Sequence, residues 1–128
     1  MDRDLLNEIG AEILDASVQV HKHMGPGLLE SVYQACLAQE LISRNMMIQE
    51  EVLIPLIYKG KQLHKTFKID ILVENQIILE LKAIEAILPV HEAQIISYLK
   101  LADKKLGYLI NFNTPLLKKG FKRYVNNF

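Results

Sequence analysis

Apolar residues recur every three or four positions through the first third of the chain and then at every second position in its middle, which predicts helices followed by strands. From Asp4 to about His23, Leu6, Ile9, Ile13 and Val20 fall at helical spacing. Gly25-Pro26-Gly27 breaks the pattern, because the glycines permit a turn and the proline opposes continuation of the helix. A second helix is expected from about Leu28 to Ser43, with Glu30, Tyr33, Leu37 and Leu41 on one stripe. The run from Glu50 to about Tyr58 is strand-like, and Pro55 calls for an edge position or a bulge. After a turn at Lys59-Gly60-Lys61, Gln62 onward leads into a hairpin, so the region is a predicted meander of three antiparallel strands. Ala83 to Val90 is a connection closed by Pro89, and His91 to Ala102 is a third helix. Leu106 to Phe112 is an apolar strand that could lie parallel to the last hairpin strand, since a helix between them is the usual crossover.

The hairpin, Phe67 to Ala83, embeds charges where a strand should be apolar: Asp70, Glu80 and Lys82. Strict alternation puts Phe67, Ile69, Ile71 and Val73 on one face, and Lys68, Asp70 and Leu72 on the other. Ile77, Leu79 and Leu81 likewise separate from Ile78, Glu80 and Lys82. If Glu74, Asn75 and Gln76 form a three-residue loop, Val73 pairs with Ile77, Leu72 with Ile78, and Asp70 with Glu80. A two-residue loop would send Glu80 to the opposite face. Directly opposed residues have Cβ atoms roughly 5 Å apart, and like charges there are destabilising unless neutralised. A hard divalent cation such as Mg²⁺ or Mn²⁺ would neutralise them, with Lys82 placed to orient or activate a water. The alternative is a solvated hairpin face carrying a Glu–Lys pair.

Charge and composition narrow the field. The 128 residues, half of them hydrophobic, suffice for one domain with a proper core, spanning 1–128. Fifteen Lys and Arg balance fifteen Asp and Glu, so any surface for nucleic acid must be local. The apolar runs are too short and interrupted to span a bilayer, and MDRDLLNE lacks a signal-peptide layout, so a cytoplasmic location and no membrane partner are expected. The single Cys36 reads as a small buried hydrophobe.

Other polar residues carry weaker signals. Glu30 is a carboxylate on an otherwise apolar or aromatic stripe, explained either by a partner or by the helix dipole. His21 and His23 do not share a helix face and read as favourable charges at a helix C-terminus. His64 reads as a surface residue. The segment from Leu116 to Phe128 interleaves Lys118, Lys119, Lys122 and Arg123 with Phe121 and Tyr124, which suits either phosphate contact with base stacking or a solvated end.

Taken together, the motifs resemble a known family. Gly27-Leu28-Leu29-Glu30-Ser31-Val32-Tyr33 matches the GxxExxY signature of a family of small bacterial proteins. Asp70 followed by Glu80-Leu81-Lys82 matches the core of the PD-(D/E)XK nuclease superfamily, with Ile69 in place of the proline, and Gln94 to Tyr98 matches the QxxxY motif of its RecB-like branch. The resemblance implies an α/β, restriction-endonuclease-like sandwich with a mixed central β-sheet flanked by helices. It implies metal ligation by Glu30, Asp70, Glu80 and the Leu81 carbonyl. It further implies that Lys82 positions or deprotonates water, that Gln94 and Tyr98 support the site or the nucleic-acid strand, and that the substrate is nucleic acid, most simply DNA. A homodimer or partner protein is compatible with the small size. The competing reading is a non-catalytic nucleic-acid or protein interaction module on the same scaffold.

Overall fold

The computed structural model describes all 128 residues. Helix α1 (Arg3–Met24) begins where the Asp2 carboxylate accepts the Leu5 N–H at 2.8 Å, and it ends at Gly25. Leu6, Ile13, Ala16 and Val20 form its buried stripe. Helix α2 (Glu30–Ser43) starts two residues later than its periodicity predicts. Tyr33 accounts for the offset. Its wholly buried hydroxyl donates to the Gly25 carbonyl at 2.5 Å and accepts the Leu28 N–H at 3.1 Å, holding residues 25–28 as a turn outside the helix. Gly27 at φ +95° supplies the left-handed residue that this turn requires. Burial of Tyr33, Leu37 and Leu41 fixes the inner face of α2, worth about 1.5–3 kcal/mol for each large side chain.

Strands β1 (Ile48–Tyr58), β2 (Lys61–Val73), β3 (Ile77–Lys82), β4 (Leu106–Asn111) and β5 (Phe121–Val125) form one sheet in sequence order. All neighbours are antiparallel except β3 and β4, which run parallel and are joined by α3 (Pro89–Leu101). Helices α1 and α2 cover one face over a core that includes Ile71, Val73, Leu79, Leu81 and Ile110. Helix α3 covers the other over Ile69, Leu72, Ile78 and Leu109. This is the mixed α/β sandwich expected from the sequence.

Two readings of local structure need correction. Ile69 does not share a face with Ile71: it packs with Leu72 under α3, whereas Ile71 and Val73 face α1 and α2. The cause lies opposite, where Glu51 adopts φ +53° and the Glu51–Asp70 pair is missing from a β1–β2 register that keeps step from Ile48–Val73 to Pro55–Thr66. Both strands rotate there, since Ile48 packs on the α1–α2 side and Val52 on the α3 side. Second, the C-terminal segment is not a free tail, although Lys118, Lys119, Lys122 and Arg123 are exposed. A 3₁₀ turn at Leu117–Gly120 feeds β5, where Phe121 stacks on Tyr108 at 4.7 Å and the Tyr124 hydroxyl donates to Glu92 at 2.5 Å, so both rings are tied into the fold. The histidines near the end of α1 lie in its last turn, as the sequence reading has them, and also make hydrogen bonds. His21 Nε2 lies 2.8 Å from the Thr114 carbonyl and His23 Nδ1 lies 2.9 Å from that of Gln19, so each of those nitrogens carries the hydrogen.

Candidate active site

The three-residue loop forms as the symmetric pairing requires, with Glu74 and Asn75 both left-handed and Val73 opposite Ile77. Beyond Ile71–Leu79 the ladder stops, and side chains take over from it. The Asp70 N–H donates to Glu80 Oε2 at 2.9 Å, and the Leu81 N–H donates to Asp70 Oδ2 at 2.8 Å. Each carboxylate thus binds a main-chain amide on the strand opposite its own, which opens the hairpin into a fork and fixes both side chains across it. Asp70 Oδ1 and Glu80 Oε1 accept no protein hydrogen bond, and neither is a buried orphan, so both are open to solvent.

The electrostatics of the fork are adverse to its own charges. Glu80 is only 5% exposed. Its carboxyl is pushed up to about 8, first by burial and then by repulsion from Asp70, against which the Asp70 amide and Lys82 act only in part. Asp70 is raised as well, chiefly by burial, with Glu51 and Glu30 adding repulsion and the Leu81 amide and Lys82 opposing it. Asp70 and Glu80 therefore face each other's charge and that of Glu30, with Glu51, itself paired with Lys68 at 3.4 Å, adding to it at Asp70, while Lys82 opposes them. Two oxygen donors fixed at a fork, with an excess of negative charge, fit a hard divalent cation that keeps several of its waters. No three Asp, Glu, His or Cys side chains are gathered closely enough to form a metal cage by themselves. Glu30, the exposed first residue of α2, is felt at Glu80 less than Asp70 is.

The remaining sequence-predicted residues fall around this fork. Lys82 ends β3, half-buried, beside Asn111 of β4. The Leu81 side chain is buried in the core while its amide serves Asp70. On α3, Gln94 Nε2 donates to the Tyr98 hydroxyl at 3.3 Å, and the Tyr98 ring tilts against Phe67 at 5.7 Å. Burial raises the Tyr98 hydroxyl, as do the charges of Glu80 and Asp70, which places it within their electrostatic reach.

Sequence reasoning missed three contributors. Gln34, one helical turn after Glu30 and on the same face of α2, reaches the Asp70 carbonyl at 3.4 Å and Glu50 at 3.3 Å. It bonds Asp70 where the β1 pairing is lost, and its i, i+4 relation to Glu30 was a usable signal. Glu51 left no signal, because nothing in a Glu-Glu-Val run announces a left-handed residue. Asn111 is buried and binds both backbone groups of Ile84 and the Asn113 N–H, pinning the segment that follows Lys82. A lone polar residue at the end of an apolar strand was its only mark.

A mixed sheet between helical layers, with strand carboxylates crossed at the fork of an antiparallel pair, defines an endonuclease-like α/β protein. Residues 7–124 match the family model of the PD-(D/E)XK nuclease superfamily, and the chain belongs to that superfamily. No curated protein and no solved structure matches it. Nucleases of this superfamily generally use divalent metal ions and act on nucleic acid. No helix is long and apolar enough to cross a membrane.

Proposed function

We propose that this protein is a metal-dependent nuclease of the GxxExxY type within the RecB-like branch, a single domain over 1–128 that hydrolyses phosphodiester bonds in DNA. The observation that carries the reading is the crossed pair Asp70 and Glu80, each held by an amide of the other strand and each with an oxygen left over. Asp70, Glu80, Glu30 and the Leu81 carbonyl would hold Mg²⁺ or Mn²⁺. When bound, such an ion neutralises charge on the phosphate and lowers the pKa of the attacking water. Lys82 would orient that water, and its ammonium would offset the charge left on the oxygen as the proton passes to solvent. Tyr98, with Gln94 bonded to its hydroxyl, presents a hydrogen-bond donor to the substrate strand from α3.

The test is cleavage of single-stranded, duplex and branched DNA with Mg²⁺ or Mn²⁺, beside folded Asp70→Asn and Lys82→Ala proteins. Metal-dependent cutting that both substitutions reduce by at least ~100-fold is the expected result. Cutting that survives both would reject these residues. The want of a third close carboxylate supports a second reading, a non-catalytic interaction module. Metal binding that Asp70→Asn abolishes, with no cutting of any substrate, would favour it.

A further inference from the structure

Between β3 and its tip, the β1–β2 hairpin runs on as a two-stranded ribbon. β3 pairs with β2 only at Ile71–Val73, whereas β1 and β2 remain paired out to Tyr58 and Lys61. The base of the ribbon packs under α3 through Val52, Ile54 and Ile69. Beyond it, every residue from Ile57 to Thr66 is exposed. A bare two-stranded hairpin is marginal in water. This one also spends three residues of β2, Leu63, His64 and Lys65, opposite the single Leu56 of β1.

The composition of this ribbon departs from that of the whole chain. The protein is neutral, yet from Val52 to Lys68 it carries Lys59, Lys61, Lys65 and Lys68 with His64, and no Asp or Glu. Only Lys68 has an ion-pair partner, Glu51 at 3.4 Å. Tyr58 at the tip is 60% exposed, with Lys59 over its ring at 5.4 Å. The ribbon is rooted in the fork itself, because its first missing pair is Glu51–Asp70. At about 3.3 Å per residue, Lys65 and Lys61 stand roughly 15–30 Å along the strand from Asp70. That distance corresponds to about four to nine steps along one strand of a duplex.

We propose that the β1–β2 ribbon is a nucleic-acid-binding arm that grips the phosphate backbone of the substrate some four to nine nucleotides from the bond at Asp70 and Glu80. Lys59, Lys61 and Lys65 neutralise phosphates, and Tyr58 offers a stacking surface at the tip. Three unpaired lysines without a single acid suit a polyanion, while Leu53 and Ile57 flank them as apolar contacts to sugar and base edges. The arm rests on the nuclease reading for its substrate, and it supplies the local charge that the neutral whole lacks.

Binding and cleavage measured separately test it. A fluorescein-labelled 30-base-pair duplex and the matching single strand are titrated in EDTA at stepped NaCl, with wild type, Lys59→Gln/Lys61→Gln/Lys65→Gln, and Asp70→Asn. The triple variant should bind at least ~10-fold more weakly at low salt, with the log–log salt slope on duplex smaller by about two to three. Asp70→Asn should keep the wild-type slope. Circular dichroism confirms folding of each protein. An undiminished slope in the triple variant, or no binding of either nucleic acid by wild type, overturns the arm. So does a wild-type dimer in sedimentation that Ile57→Ser splits while leaving the slope unchanged, since the ribbon is then an interface between copies. Arm-dependent binding without metal-dependent cutting keeps the arm and fails the nuclease reading instead.

Discussion

Glu80 illustrates how one residue is held against its own preference. Its carboxyl lies near 8 in the folded chain against an ordinary 4.5, so the folded state binds the proton more tightly than the unfolded chain does. For a raised carboxyl the sign is unfavourable to an alkaline fold: stability is full below about 4.5 and declines as pH rises towards 8. Glu80→Gln removes that loss and keeps an oxygen to accept the Asp70 amide. In EDTA the variant should melt higher than wild type by a few degrees at pH 8, corresponding to ~1 kcal/mol or more, and the gap should shrink towards pH 5. A pH-independent gap would show that burial does not perturb this group. Tyr33 works in the opposite sense. Tyr33→Phe keeps the stack on Phe112, whose ring centroid lies 4.5 Å away, but leaves the Gly25 carbonyl and Leu28 amide without their partner. A loss of about 1–2 kcal/mol in denaturant unfolding is expected. Because the turn sets where α2 begins, cleavage dependent on Glu30 should weaken in the same variant.

Among the elements, the hairpin was the most legible, and it also held the main surprise. An odd loop length and a symmetric pairing were enough to bring Asp70 and Glu80 to one fork, and the glycine turn announced the break before α2. The rotation of β1 and β2 was not legible, because Phe67, Ile69 and Ile71 alternate as one face would, and only the left-handed Glu51 divides them. β5 was missed for a related reason. Its partly buried residues, Phe121 and Tyr124, are three apart, so the period of two that marks a strand is absent. The candidate site was legible where charged residues interrupt apolar runs, and illegible where it depends on backbone conformation or on an amide such as Gln34. Glu51 gives an element-level prediction. A non-glycine residue at φ +53° costs of order 1 kcal/mol, and its exposed pair with Lys68 returns little. Glu51→Gly should therefore hold or raise stability by about 0.5–1 kcal/mol in urea unfolding. Clear destabilisation would mean that the side chain of Glu51, rather than its backbone, sets the rotation.

In the whole molecule the two helical layers are unequal. The α1–α2 face buries eighteen core residues, whereas the α3 face buries six, and α3 itself contributes only Ile95 and Leu99 to them. Local opening free energy follows buried apolar contact, so α3 is the layer that should detach first. In native-state hydrogen exchange, amides of Ile96 to Leu101 should open at a free energy ~1–3 kcal/mol below those of β4, with a weaker denaturant dependence because less surface is exposed. Ile95→Ala should widen that difference, whereas Leu37→Ala, on the opposite face, should lower all amides together. The consequence for function follows from what α3 carries: Gln94 and Tyr98 stand on the less secure layer, while Asp70, Glu80 and Lys82 stand on strands of the central sheet. A substrate strand contacted by Tyr98 would bind only the closed form and so raise α3 protection by mass action, leaving the slowest amides of β3 and β4 to report the global change alone. If α3 exchanges only with global unfolding, with or without nucleic acid, the layer is rigid and Tyr98 is a fixed wall of the site instead of a closing one.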